Sequence, residues 1–207
     1  MSTTEDTKSK SKSDKHAAPN DNGSSSGTPS LGLIAGATAA GAALGVLALL
    51  GRKAAVQAPT LLAGDWRDAL VAEHKATLKV FDSIQATDSS NTVKRTLLLK
   101  HLKHALSKHA IQEEMVIYPV LRDIGEHAGA DELTKEHGYV KQYLYDLENM
   151  PKDSPEWLVK VGNFRSDIEE HIRDEEDRLF PRLHGALGDE KNKQVTAQMN
   201  REGFKLA

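Results

Sequence analysis

His109 and Glu113 stand four residues apart, and so do His171 and Glu175. Four residues is close to one helical turn, so each pair shares a face and can address one point. The two segments align without gaps: His109-Ala-Ile-Gln-Glu-Glu-Met-Val-Ile-Tyr-Pro-Val-Leu121 and His171-Ile-Arg-Asp-Glu-Glu-Asp-Arg-Leu-Phe-Pro-Arg-Leu183. Both read His-x-x-x-Glu-Glu-x-x-aliphatic-aromatic-Pro-x-Leu. Upstream, Glu73-His74 places a histidine 35 residues before His109, and Glu136-His137 places one 34 before His171. Each half therefore carries one histidine on a first helix and His-x-x-x-Glu on a second.

Four imidazoles and two carboxylates inside an aliphatic bundle are costly unless something pairs them. A metal does so. Nitrogen and oxygen ligands without sulfur suit iron, and also manganese or zinc. Carboxylates on opposite helices, able to bridge, point to two ions rather than one. A single His-x-x-x-Glu is ordinarily a solvated pair worth roughly 0.2–0.5 kcal/mol. Its recurrence with the same flanking residues argues against that reading here. His101, His104, His127 and His184 fall outside the set, and His101, two turns before His109, at most flanks it.

Helices must hold these residues. Trp66, Leu70, Thr77, Phe81 and Ile84 recur at helical spacing, as do Leu97, Ala105, Val116 and Val120. So do Leu133, Val140, Leu144 and Leu147, then Leu158, Val161, Ile168, Ile172 and Leu179. Breaks at Asp88 to Asn91, Gly125 to Gly129 and Pro151 to Pro155 are short. Short breaks favour antiparallel neighbours. The pattern predicts helices over 64–86, 92–124, 130–149 and 155–185. The expected fold is all-α: an antiparallel up-down four-helix bundle over 60–187 with an internal two-fold pseudo-repeat. Residues 188–207 read as a polar C-terminal tail, with a helical stretch near 189–203.

Tyr118 and Phe180 each follow a site histidine by nine residues. At regular helical periodicity that is half a turn out of phase, so both are expected to pack away from the metals. Pro119 and Pro181 are expected to kink or end the long helices just beyond the site.

Residues 1–30 are polar and low in complexity, with a Lys/Ser run from Lys8 to Ser13. Such a segment buries too little to offset its ordering entropy and is expected to be disordered. From Leu31 to Gly51 no charge occurs, and Arg52-Lys53 follows. That length matches one helical membrane crossing, and Gly32/Gly36 and Gly41/Gly45 have the small-xxx-small spacing of self-associating membrane helices. The expectation is a membrane anchor with the metal domain on the cytoplasmic side, from the Lys/Arg count after the span. The alternative is an Ala/Gly-rich linker on a soluble cytoplasmic protein. A cleaved signal peptide is disfavoured by the long leader and by Arg52-Lys53 after the apolar run.

Cysteine is absent, which excludes disulfides, thiolate metal sites and thiol catalysis. The net charge of −3 gives the chain no means of holding nucleic acid by charge.

Together, His74, His109-x-x-x-Glu113, His137 and His171-x-x-x-Glu175 resemble the hemerythrin-like, or HHE cation-binding, domain over about residues 65–185. The resemblance implies a non-haem di-iron centre that carries or senses dioxygen, responds to oxidative or nitrosative stress, or senses iron. By position it implies that His74 and His109 bind one iron, that His137 and His171 bind the other, and that Glu113 and Glu175 bridge. Two departures stand out. Lys141 occupies the place of a further third-helix histidine, and Glu176 stands where the dioxygen-carrying pattern has Asp. The internal repeat favours Glu175 as the bridge, with Glu176 as the alternate. Without that histidine both ions keep open or water-filled positions, and Glu73, Glu136 and Glu114 are candidates to fill one. Each of the three is more simply read as facing solvent or supporting a histidine.

A binding or sensing protein for dioxygen, peroxide, nitric oxide or iron is therefore the leading expectation. A di-iron oxidase or peroxidase is the second. The third is a membrane-tethered structural protein with an incidental metal.

Overall fold

The computed structural model describes residues 62–206. The polar leader 1–30 and the apolar segment 31–51 lie outside the described residues. Among the described residues all regular structure is helical. No described helix is long and apolar enough to cross a membrane.

Helix α1 spans Trp66–Gln85 and starts at Asp65, whose carboxylate accepts from the amides of Arg67 and Asp68. This is the usual N-cap role of a short acidic side chain. Helix α2 (Thr92–Gln112) runs through a five-residue π-helical turn, Glu113–Ile117, into α3 (Tyr118–Asp123). Gly125, at φ 88°, ends this rod, a backbone conformation that glycine adopts without a Cβ penalty. Helix α4 is His127–Asn149. Helix α5 (Pro155–Asp174) is capped by Ser154 and passes through a second π-turn, Glu175–Leu179, into α6 (Phe180–Ala186). Helix α7 is Asp189–Leu206.

Helix α1 packs on α2 and α5, and α4 packs on the same two, closing a ring of four. Their apolar faces build two cores. One holds Trp66, Leu70, Tyr118, Leu133, Phe180 and Leu183 among others. The second holds Phe81, Leu102, Leu106, Leu147, Trp157 and Phe164 among others. Along α1 and α4 the chain runs from the first core to the second, and along α2 and α5 from the second to the first. His74, His109, Glu113, His137, His171 and Glu175 fall between the two as a buried polar layer.

The phase of α2 differs from expectation. Leu97 is 61% exposed, and Leu99, Leu102 and Leu106 are buried instead. Three successive leucines at 97–99 leave the local pattern compatible with more than one phase. The observed phase puts Leu102 two turns before His109 and turns Arg95 inward. There the buried Arg95 side chain donates to Thr87 and lies over the Trp157 ring.

The expected polar tail is a packed helix. Helix α7 lies against α1, α2 and the first π-turn, and it buries Val195 and Met199 in the first core. Asn192 accepts the Trp66 indole N–H at 2.9 Å, and Thr196 accepts the Trp66 backbone N–H. Its polarity in sequence reflects one narrow apolar stripe on an otherwise solvated helix.

Candidate metal centre

The six predicted ligands are delivered as three matched pairs. His74 follows Leu70 by one turn on the buried face of α1, and His137 follows Leu133 likewise on α4. His109 and His171 lie near the ends of α2 and α5, and Glu113 and Glu175 open the π-turns that follow. All six are at most 5% exposed.

Their donor atoms converge. Glu113 Oε2 lies 3.1 Å from His109 Nε2 and 3.4 Å from His137 Nε2. Glu175 Oε2 lies 3.3 Å from His74 Nε2 and 3.4 Å from His171 Nε2. Each glutamate thus touches one histidine from each half of the repeat. The Nε2 atoms of His74 and His109 are 2.9 Å apart. Two nitrogens about 2.1 Å from one ion, at about a right angle, would stand about 3 Å apart.

The opposite ring nitrogens face carboxylates. His74 Nδ1 meets Glu176 at 2.7 Å, and His109 Nδ1 meets Glu73 at 3.2 Å. His137 Nδ1 meets Glu114 at 3.0 Å, and His171 Nδ1 meets Glu136 at 2.7 Å. An Nδ1–H donated to a carboxylate fixes the tautomer and turns Nε2 toward the centre, as metal-binding histidines require. Glu73, Glu114 and Glu136 therefore support histidines. Glu176 does the same for His74, and its neighbour Glu175 points inward.

The expectation for Tyr118 is overturned. Its hydroxyl donates to Glu175 Oε1 at 3.0 Å, with His137 Nε2 at 3.1 Å and Glu113 Oε2 at 3.4 Å. The cause is the π-turn. The Tyr118 amide bonds the carbonyl of Glu113, five residues back, and Phe180 bonds Glu175 in the same way. A five-residue turn restores the phase that nine residues of regular helix would have lost. Pro119 and Pro181 lie just past these turns. Neither ends its helix. A proline ring crowds the carbonyl four residues back and offers no N–H, and the wider turn precedes it in both halves. The Glu-Glu-x-x-aliphatic-aromatic-Pro repeat was the signal for this feature. Phe180 does pack, but on the site itself: its ring stacks with the His74 ring at 6.2 Å.

Electrostatics separate the groups. Burial pushes the His109 imidazole down, but the carboxylates of Glu113 and Glu73 hold it well above its ordinary value. For His171 burial is likewise outweighed, by Glu175 and Glu136, and the ring rises to about 9. For His74 burial and then His109 act downward, but the nearby carboxylates of Glu175 and Glu176 outweigh both and the ring rises. Burial raises Glu113, but His109 and His137 hold it well below the carboxylate range. The carboxylates thus favour protons on His74, His109 and His171, where cations could sit. Glu113 Oε1 and Glu175 Oε2 are buried with no hydrogen-bond partner. That is costly unless a cation takes them. Buried imidazole and carboxylate donors, orphaned oxygens and no thiol form a set that fits a hard or borderline divalent metal.

Beside the four imidazoles, on the side of Leu106, Val140, Ile168 and Ile172, lies a cavity of about 20 Å³. It has room for about one water-sized molecule. His101, His104 and His127 are exposed, and His184 bonds Asp65 at 2.8 Å, away from the layer. Lys141 is exposed and lies 3.3 Å from Glu114.

The Hemerythrin HHE cation binding domain family matches residues 67–183. An uncharacterized hemerythrin-like protein of Schizosaccharomyces pombe is 23% identical over 137 residues, 65% of this chain and 66% of that protein. A DNA nickase of a Nostoc species is 23% identical over 140 residues, 68% of this chain and 39% of that protein. The matched region covers less than two thirds of either relative's length. No solved structure matches the chain.

Proposed function

Because the chain belongs to the Hemerythrin HHE cation-binding domain family, we propose that it is a non-haem di-iron protein binding a small diatomic molecule or peroxide. In this reading the ring of four is an antiparallel up-down bundle, and the two halves are related by the internal repeat. His74 and His109 would hold one ion and His137 and His171 the other, with Glu113 and Glu175 shared between them. The observation that carries the reading is the position of each glutamate between histidines of different halves.

Iron bound there would supply redox change and affinity for a small molecule. The chain does the rest. Four carboxylates orient four imidazoles through Nδ1. Leu106, Val140, Ile168 and Ile172 keep the adjacent cavity apolar, which admits an uncharged diatomic and discourages a hydrated anion. Tyr118 occupies the polar contact beside Glu113, His137 and Glu175.

Lys141 favours a second reading, a di-iron oxidase or peroxidase, since an ion lacking a further histidine keeps a position for reaction. A stable, reversible oxy-complex in air would exclude it. Most of the Nostoc DNA nickase lies outside the match. A membrane tether through residues 31–51, with a cytoplasmic metal domain, is part of the proposal. It is supported by the uncharged run followed by Arg52 and Lys53. Release of the full chain from vesicles by alkaline carbonate would overturn it.

The test of the di-iron reading is metal analysis of the full chain, purified aerobically, beside His109→Ala and His171→Ala. About two irons per chain, falling sharply in both variants, is the expected result. A parent that binds no metal after incubation with ferrous iron would leave a structural helical bundle.

A further inference from the structure

The two halves of the repeat differ where the metals would sit. Donor atoms of His74, His109, Glu113 and Glu175 all lie within 4.8 Å of one another. In the other half only Glu113, His137 and His171 converge to that degree. Lys141, which stands where a further histidine would add a donor to this half, points to solvent with its side chain 67% exposed. Beside His137 Nε2 stands the Tyr118 hydroxyl at 3.1 Å.

Of the supporting carboxylates, those on His109 and His171 differ in the same sense, whereas Glu176 on His74 and Glu114 on His137 are similarly exposed. Glu73, which holds His109, has a side chain only 13% exposed and is clamped by the buried Lys108 ammonium at 2.6 Å. In the gapless repeat the counterpart of Lys108 is Glu170. Glu136, which holds His171, is 29% exposed. It lines an open groove of about 220 Å³ between α4 and α5, with Glu132, Asp167 and Glu170 on the walls and His171 at the floor. A cation approaching His171 along this groove meets carboxylates, and one approaching His109 past Glu73 meets a closed, charge-compensated wall.

We infer that the two metal positions are unequal: the His74–His109 position, completed by Glu113 and Glu175, fills first and holds its ion, and the His137–His171 position binds the second ion more weakly and exchanges it through the α4–α5 groove. The inference rests on the di-metal reading above. Donor convergence argues for the order: before a second ion draws Glu175 across, four donors already converge at the first position and three at the second, and each charged ligand in place acts on the ion directly, without intervening solvent. The groove carboxylates act through water, where screening reduces them to steering an approaching cation. They therefore speed entry to the second position more than they hold the ion there.

The experiment is a cobalt(II) titration of the full chain after chelator treatment, read by visible d–d absorption, whose intensity reports coordination number. Two resolved equivalents are expected, the first tighter by roughly tenfold or more. His171→Ala keeps the tight equivalent and loses the weak one, and His109→Ala loses the tight one. Glu136→Gln, which leaves every proposed ligand in place and keeps an acceptor for His171 Nδ1–H, slows loading and exchange of the second equivalent alone. It decides the matter if a histidine variant fails to fold, as judged by circular dichroism. Two equivalents of equal affinity, a tight equivalent lost in His171→Ala but kept in His109→Ala, or a shift confined to the first equivalent in Glu136→Gln would each overturn the inference while leaving the di-metal reading intact. A parent that binds no cobalt would overturn both.

Discussion

Tyr118 donates its hydroxyl to Glu175 Oε1 at 3.0 Å, across 57 positions of sequence and from one helical rod to another. The contact joins the first half of the repeat to the second at the level of the buried layer. Burial first, and the nearby Glu113 and Glu175 carboxylates second, push the phenol well above its ordinary value. It therefore serves as a donor.

Replacing Tyr118 with Phe keeps the ring in the first core and removes only that donor. Glu175 then keeps a buried carboxylate with fewer partners. The metal-free chain should lose about 1–3 kcal/mol of stability. Urea denaturation of the chelated protein measures it, and an unchanged midpoint would show that the hydroxyl is energetically idle.

Glu176 reaches the proposed metal centre through the His74 ring. Glu176→Ala should lower the affinity of the His74–His109 position by about 10–100-fold, and the fold should be retained. Glu176→Gln, whose amide oxygen can still accept from Nδ1–H, should recover much of it. A competition titration against a chromogenic chelator distinguishes the two. Equal affinities for Ala and parent would refute the orienting role.

Protons and metal should compete at this centre. His171, raised from 6.5 to about 9, stabilises the metal-free fold fully below pH 6.5, and that contribution disappears as pH climbs through 9. Glu73 works in the opposite direction. Lowered from 4.5 to about 2, it contributes above pH 4.5 and is lost as pH falls through 2. Thermal melts of the metal-free chain should therefore fall between pH 7 and pH 10. Metal binding must displace the imidazole protons, so affinity should rise over the same interval and loading should release protons. Calorimetry in two buffers of different ionisation enthalpy counts them. A loading enthalpy independent of buffer would contradict the protonated layer.

Met199 lies on α7, fully buried against the first core and outside the polar layer. Met199→Ala should destabilise the fold by about 2–5 kcal/mol and leave metal stoichiometry at ambient temperature unchanged. A variant as stable as the parent would mean that α7 is peripheral to the fold.

The site histidines and Glu113 and Glu175 were legible because spacing of four on a helix is a local property, and the repeat stated it twice. The choice between Glu175 and Glu176 was half legible. Adjacent residues on a helix differ by about 100° in direction, so only one can enter the layer, but which one depends on the phase of the whole rod. In the structure Glu175 enters and Glu176 reaches His74 from outside. The phase of α2 shows the same limit, since the leucines at 97–99 offered more than one face and packing buried Leu99.

What the sequence determined by itself was the chemistry: which side chains could bind metal, on which helices, and in two matching halves. Tertiary structure decided three things. It set the inward turn of Tyr118, because periodicity arguments assume a regular helix and the π-turns at Glu113 and Glu175 break that assumption. It recruited α7, whose thin apolar stripe has meaning only against Trp66 and the first core. And it set the inequality of the two halves. Lys108 and Glu170 occupy matching places in the repeat, but only packing determines that one is buried on a carboxylate and the other faces an open groove.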